Sequence, residues 1–317
     1  MNANGTSGYW NLRPVVLEND LLRIIVFPEL GAKIYSLIYK PLQEDILWHN
    51  PAIKPAIVSP RSPFDDVWCG GWDEIFPNDA PCIVDGKHYP DMGEVWSIPW
   101  AHSLIRNREH PPSATLQTSV RNEATPCKLT RFLTLRDGES SVHVRYLLEN
   151  VGDKPLRFLW KLHPAFDINE TCTIEIPAST GIIDPRYRHL YSDHRAMYKW
   201  PYATNSEGRE IDVSRVPPST EQTCSLHYVT DLKDGVAKFN NPKRNLSVTI
   251  RFPKEIFDNV WLFLAYGGYR SLYTAVIEPS TSYPYDLGEA IREGHCSRLD
   301  PGQKLDCHIE VELRTLK

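Results

Sequence analysis

Long apolar runs are missing from this chain of 317 residues. No stretch approaches the ~18 apolar residues of a membrane-spanning helix. The first twenty residues, MNANGTSGYWNLRPVVLEND, have neither a basic start nor an apolar core, so no signal peptide is expected either. Blocks of like charge are also missing. With 35 Lys and Arg against 40 Asp and Glu, the net charge is −5, and no basic cluster offers a face to nucleic acid or an anionic membrane. The seven cysteines, at 69, 82, 127, 172, 224, 296 and 307, never take CxxC spacing and are odd in number. That pattern fits buried free thiols in a reducing cytosol better than a disulfide framework. No Gly/Ser-rich or Pro-rich linker and no internal repeat divides the chain.

What is plentiful is the vocabulary of short strands and turns: 26 Pro, ten Phe, nine Trp and fifteen Tyr, against three Met. In SVHVRYLLEN (141–150), Val142, Val144, Tyr146 and Leu148 share one face, and His143, Arg145 and Glu149 the other. KLDCHIEVEL alternates more cleanly, with Leu305, Cys307, Ile309, Val311 and Leu313 on the inward side. Segments of similar character at 15–18, 21–27, 32–39, 116–121, 128–135, 155–163, 173–177, 246–252, 260–266 and 272–278 read as further strands. Only LGEAIREG (287–294) reads as a helix, a short one closed by Gly294. So many strands without intervening helices exclude a doubly wound α/β fold and predict an all-β protein built from antiparallel sheets. One domain over 1–317 is the simplest division, with 1–13 a loosely ordered extension.

Two stretches, 48–101 and 178–224, do not read as strands. The first holds five of the nine Trp (48, 68, 72, 96 and 100) among acidic groups and Gly/Pro turns. A long aromatic loop on a β scaffold is either a functional surface or a small core under a loop. Trp and Tyr faces beside Asp, Asn and Arg would suit a carbohydrate, whose C–H edges pack on rings and whose hydroxyls need donors and acceptors.

Two ionisable groups stand immediately before a proline at the end of an apolar segment, His163 in WKLHPAFDI and Glu278 in YTAVIEPST. Taken singly, each has a plain reading as a hydrogen-bonded strand end. Their company changes that. VVLENDLLRIIVFPELGAKIYSLIYK, GGWDEIFPN, DMGEVWSIPW, LENVGDKPLRFLWKLHPAF, YGGYRSLYTAVIEPSTSYP and GHCSRLDPGQKLDCHIEVEL occur in an order that resembles the galactose mutarotase-like superfamily, from about residue 15 onward. The resemblance implies a β-supersandwich with a sugar-binding cleft on a concave sheet face. It also implies that His163 and Glu278 are its acid/base pair, in a cofactor-independent, metal-free interconversion of α and β anomers. Glu278 would take the proton from the O1 hydroxyl while a protonated His163 gives one to the ring oxygen, the roles reversing on closure. By strand parity Lys161 shares a face with His163 and is expected to line the same cleft.

Many relatives place a second histidine before the Gly-Glu of the D-x-G-E-x-W element, where this chain has Met92. A thioether packs on a sugar but donates no hydrogen bond. Sugar contacts are expected from Arg61, Trp72, Asp73, Asn78, Met92, Trp96 and Lys161. Two other readings compete: a sugar-binding protein without turnover, motivated by Met92, and a glycoside hydrolase or lyase using Asp73 and Glu74, with Asp65 and Asp66 nearby. His189 and His194 lack a third ligand at zinc spacing. Cys69 reads as a structural thiol, and the Gly267–Gly268 pair precedes a strand, so no dinucleotide site is expected. The expected partner is a small sugar, and the protein a cytoplasmic monomer or homodimer.

Overall fold

The computed structural model describes residues 9–122, 125–191 and 197–316. Two large antiparallel sheets carry the chain. In the larger, strands run in the order Val15–Glu18, Leu22–Phe27, Lys33–Tyr39, Trp72–Ile75, Lys161–Asp167, Tyr273–Ser280, Asn259–Tyr266, Thr223–Thr230 and Thr180–Ile183. Three short strands between 197 and 212 extend that end. The smaller sheet orders Thr173–Glu175, Val236–Asn241, Leu246–Arg251, Lys304–Thr315, Ser141–Asn150, Cys127–Arg136, Ser113–Asn122 and Ala101–Asn107. Their facing apolar sides share one core, from Leu22, Ile24 and Val26 to Leu133, Val144, Ile309 and Leu313. The alternation in 141–150 and 304–315 places its apolar set inward, because a period-2 pattern can bury only one face.

The fold is all-β as the alternation predicts, and the departures have physical causes. Pro164 and Pro279 do not stop their strands, which run on to Asp167 and Ser280. A proline removes one donor only, and the ladder resumes at once with Ala165 N–H on the Gly71 carbonyl at 3.0 Å. The segment 155–163 divides: Leu156–Phe158 pairs with Ser297–Leu299, and the large sheet is joined only at Lys161. Within 48–101, WDEI (72–75) is a strand at the middle of the large sheet, not a loop. Gly71 leads into it at φ +84°, where a Cβ would stand 2.9 Å from the Ile34 carbonyl oxygen. Within 178–224, Thr180–Ile183 pairs with the strand at 223–230. The helix forms at Leu287–Glu293, capped by the Asp286 side chain on Glu289 N–H and ended by Gly294 at φ +76°. Of the extension over 1–13, residues 9–13 are described: Leu12 is buried and Tyr9 meets Phe27 edge-on, while Trp10, Asn11 and Arg13 are exposed. All seven cysteines are free. Among the described residues no helix is long and apolar enough to cross a membrane.

Candidate active site

The large sheet turns the side chains of alternate residues away from the core, and register decides which of them meet. Lys161 pairs with Ser280 and Ala165 with Val276, which sets His163 directly across from Glu278. On the other flank His163 stands opposite Asp73, and Glu278 stands opposite Trp261. A polar row therefore crosses four adjacent strands on the face away from the core. Loops roof the row to leave a cavity of about 190 Å³. His163, Glu278 and Lys161 form its floor, with Asp79, from the turn after WDEI, beside them. Phe64, Trp68, Met92, Arg186, Tyr187 and Tyr285 are among its walls.

Lys161 organises the floor. Its Nζ lies 2.6 Å from Glu278 Oε2, contacts Asp79 Oδ2, and stands 4.4 Å above the Trp261 ring. Glu278 is 1% exposed, and its Oε1 has no hydrogen-bond partner among the described residues. Burial raises the Glu278 carboxyl; Lys161 pulls it back and Asp79 pushes it up again, leaving it at about 7. Burial works to lower the Lys161 pKa, but its two carboxylates outweigh that and hold it above the ordinary lysine value. His163 is wedged edge-on between Phe64 and Trp68, with ring centroids 5.6 and 5.5 Å away, and its Nδ1 is buried with no hydrogen-bond partner among the described residues. Burial, then Lys161 and Lys33, push it well below the usual histidine value. The protonated imidazole expected from the sequence is thus not the resting form. At pH 7 the Glu278 carboxyl, at about 7, is half protonated, while His163 is neutral.

Searches for similar proteins bear on the whole architecture. A family model described as a domain of unknown function, DUF5107, matches residues 3–85. A Klebsiella pneumoniae protein provisionally named an aldose 1-epimerase superposes with a TM-score of 0.79 at 15% identity, over 97% of this chain and 81% of that one. A galactose mutarotase-like protein from Clostridium acetobutylicum gives 0.67 at 13% identity, covering 98% of each chain. A Synechocystis protein gives 0.69 at 18%, covering 98% of this chain and 99% of its own. The fold is galactose mutarotase-like.

On this mutarotase-like scaffold the residues expected at the site separate into two groups. His163, Glu278, Lys161 and Met92 come together around the cavity. Five others do not line it. Trp72 is opposite Pro164, on the face that enters the core. Asp73 is on the correct face but spent on Lys33, at 2.5 Å, and is 1% exposed. Asn78 is buried and donates to the Ala80 and Pro90 carbonyls at 2.8 and 2.7 Å, bracing the turn that carries Asp79. Trp96 backs Phe64 at 4.9 Å and donates to the Asp91 carbonyl. Arg61 is exposed in an adjoining groove with His88 and Tyr89, separated by Pro81 and Asp91. Asp73 and Glu74, the pair considered for hydrolysis, point to opposite faces. Glu74 is held by Arg131 at 3.1 Å and by the Tyr146 hydroxyl. Asp65 lines the cavity and accepts from Tyr269, while Asp66 pairs with Arg270 outside. His194 lies outside the described residues, and among those described no His, Cys, Asp and Glu group is arranged for a metal ion.

Among the cavity residues that escape a reading of the sequence are Asp79 and Arg186. Asp79 follows WDEIF across a turn, beyond the reach of strand parity. The turn is pinned by Met92 N–H on the Asp79 carbonyl at 2.6 Å, and by Gly93, where a Cβ would meet the Phe76 oxygen at 2.2 Å. Arg186 sits in the excursion after Thr180–Ile183, tied to Asp184 at 2.8 Å and laid 3.6 Å over the Tyr285 ring.

Proposed function

We propose that this protein is a cofactor-independent aldose mutarotase, with Glu278 as base and His163 as acid. The observation that carries this is their cross-strand placement on the floor of one cavity. In the reactive arrangement the single proton of the pair is on His163. Glu278 takes the O1 proton as His163 gives its proton to the ring oxygen, and the C1–O5 bond opens to the aldehyde. The pair is then left as carboxylic acid and neutral imidazole, the distribution it also holds at rest below pH 7. Both anomers pass through this open-chain state. Rotation about C1–C2 and the reverse transfers close the other anomer.

A single pyranose suits the cavity better than a chain of sugars. Phe64, Trp68 and Met92 offer apolar contact, and the free Oε1 of Glu278 accepts a hydroxyl. Magnetisation-transfer NMR on a panel of neutral, deoxy, acidic and phosphorylated free sugars tests this. We expect faster anomer exchange for at least one sugar, lowered by ~10²-fold or more in Glu278→Gln and in His163→Asn. Saturable binding without exchange would make the protein a sugar-binding relative instead. The absence of both exchange and binding would overturn the reading.

A further inference from the structure

The floor of the cavity holds one ammonium and two carboxylates. Lys161 is 4% exposed and contacts Glu278 and Asp79, which are 1% and 11% exposed. The remaining charged and titratable groups around Glu278 are otherwise engaged or distant. His163, across the strand, is neutral at rest. Asp65 accepts from Tyr269, Asp91 accepts from Phe64 N–H, and Arg186 is tied to Asp184. From the strand at 259–266 only the Trp261 ring faces Glu278, and Lys33 lies beyond Asp73. A base that accepts a proton loses its charge. If Lys161 had no partner but Glu278, protonation would strand a buried ammonium, among the costliest states a protein interior can hold.

We propose that Asp79 is a positioning residue that serves as the standing counter-ion of Lys161, freeing Glu278 to gain and lose a proton. When Glu278 takes the O1 proton, Lys161 keeps all of its own protons and stays paired with Asp79. When Glu278 returns the proton on ring closure, Lys161 again bridges both carboxylates. The source of that proton rests on the mutarotase reading, but the counter-ion arrangement does not. Burial is the main cause that raises the Glu278 carboxyl, and the Asp79 charge adds a smaller push in the same direction against the pull of Lys161.

The experiment is a titration of full-length protein labelled with carboxyl-¹³C glutamate, the Glu278 signal being assigned by its loss in Glu278→Gln. In Asp79→Asn a like charge near Glu278 is removed and Lys161 serves Glu278 alone, so the midpoint falls, by ~1 unit or more. In Lys161→Met the midpoint rises. Should Asp79→Asn fail to fold, Asp79→Ser removes the same charge with a smaller side chain. An unchanged midpoint in a folded Asp79 variant overturns the proposal. In an active enzyme, the alkaline limb of the exchange profile moves down with the NMR midpoint, whereas loss of packing alone would lower the profile without moving it. A wild type without exchange on any sugar ends the mutarotase reading, while the titration still decides the role of Asp79.

Discussion

Glu278 and His163 are cross-strand neighbours whose environments invert their usual proton affinities. Burial lifts the carboxyl to about 7 and drives the imidazole well below its normal value. Exchange needs one proton on the pair. Above pH 7 both groups are deprotonated and no acid remains, so the rate falls by about tenfold per unit. Below the His163 value both are protonated and no base remains. We therefore expect a bell whose alkaline limb lies near 7, read from exchange rates across pH. The same groups leave a mark on stability. Glu278 has a raised folded-state pKa, so its contribution is fully present below about 4.5, the unfolded glutamate value, and is lost as pH rises through about 7. Glu278→Gln should thus stabilise the protein at pH 8, by on the order of 3 kcal/mol if the shift were fully expressed. The gain should vanish at pH 4, as followed by urea unfolding. A gain that is equal at both pH values would show that the carboxylate is not strained by burial.

At the scale of elements, WDEI explains both what the sequence reveals and what it hides. Strands at 141–150 and 304–315 are legible because one face is apolar and the other polar. WDEI is polar on both faces, and it is buried because each acid meets a cation: Asp73 meets Lys33 on the site side, and Glu74 meets Arg131 on the core side. Those cations lie 40 and 57 residues away in the chain, so no local pattern announces them. His163 and Glu278 were legible through their motifs, and Lys161 through parity with His163. Trp72 was misplaced because a residue read as a loop aromatic is in fact on the inward parity of a strand. Asp79 and Arg186 reach the cavity from turns, where periodicity carries no information. The ion pairs of WDEI lead to a prediction of their own. Arg131→Met leaves Glu74 buried with only the Tyr146 hydroxyl and the Trp160 indole as donors. The cost should be about 3–5 kcal/mol at pH 7 by urea unfolding. It should shrink in acid, because burial has raised the Glu74 carboxyl and it then takes up a proton. Sugar binding should persist in the folded fraction, since Glu74 faces away from the cavity.

For the whole molecule, the large sheet supplies a floor that carries Lys161 and Glu278, the loops add further charged groups around it, and the sum has a sign. The cavity is lined by Asp65, Asp79, Asp91 and Glu278 against Lys161 and Arg186, in a protein whose net charge is −5. Both cations are already bound to carboxylates of the protein. An anionic sugar would enter without a free partner and against a negative field, whereas a neutral one meets only hydrogen-bonding groups and rings. We expect neutral aldoses to be preferred over their phosphates and uronates by roughly tenfold or more in kcat/KM at ~0.01 M salt, where the Debye length is about 30 Å. Raising salt to ~1 M, with screening over about 3 Å, should narrow the gap by speeding the anionic sugars selectively. The contrary result, a phosphorylated sugar exchanged best and slowed by salt, would place the phosphate in the adjoining groove. Arg61, exposed there beside His88, is the cation that could receive it. Arg61→Gln would then abolish the preference for the phosphate and leave exchange of the neutral sugar unchanged.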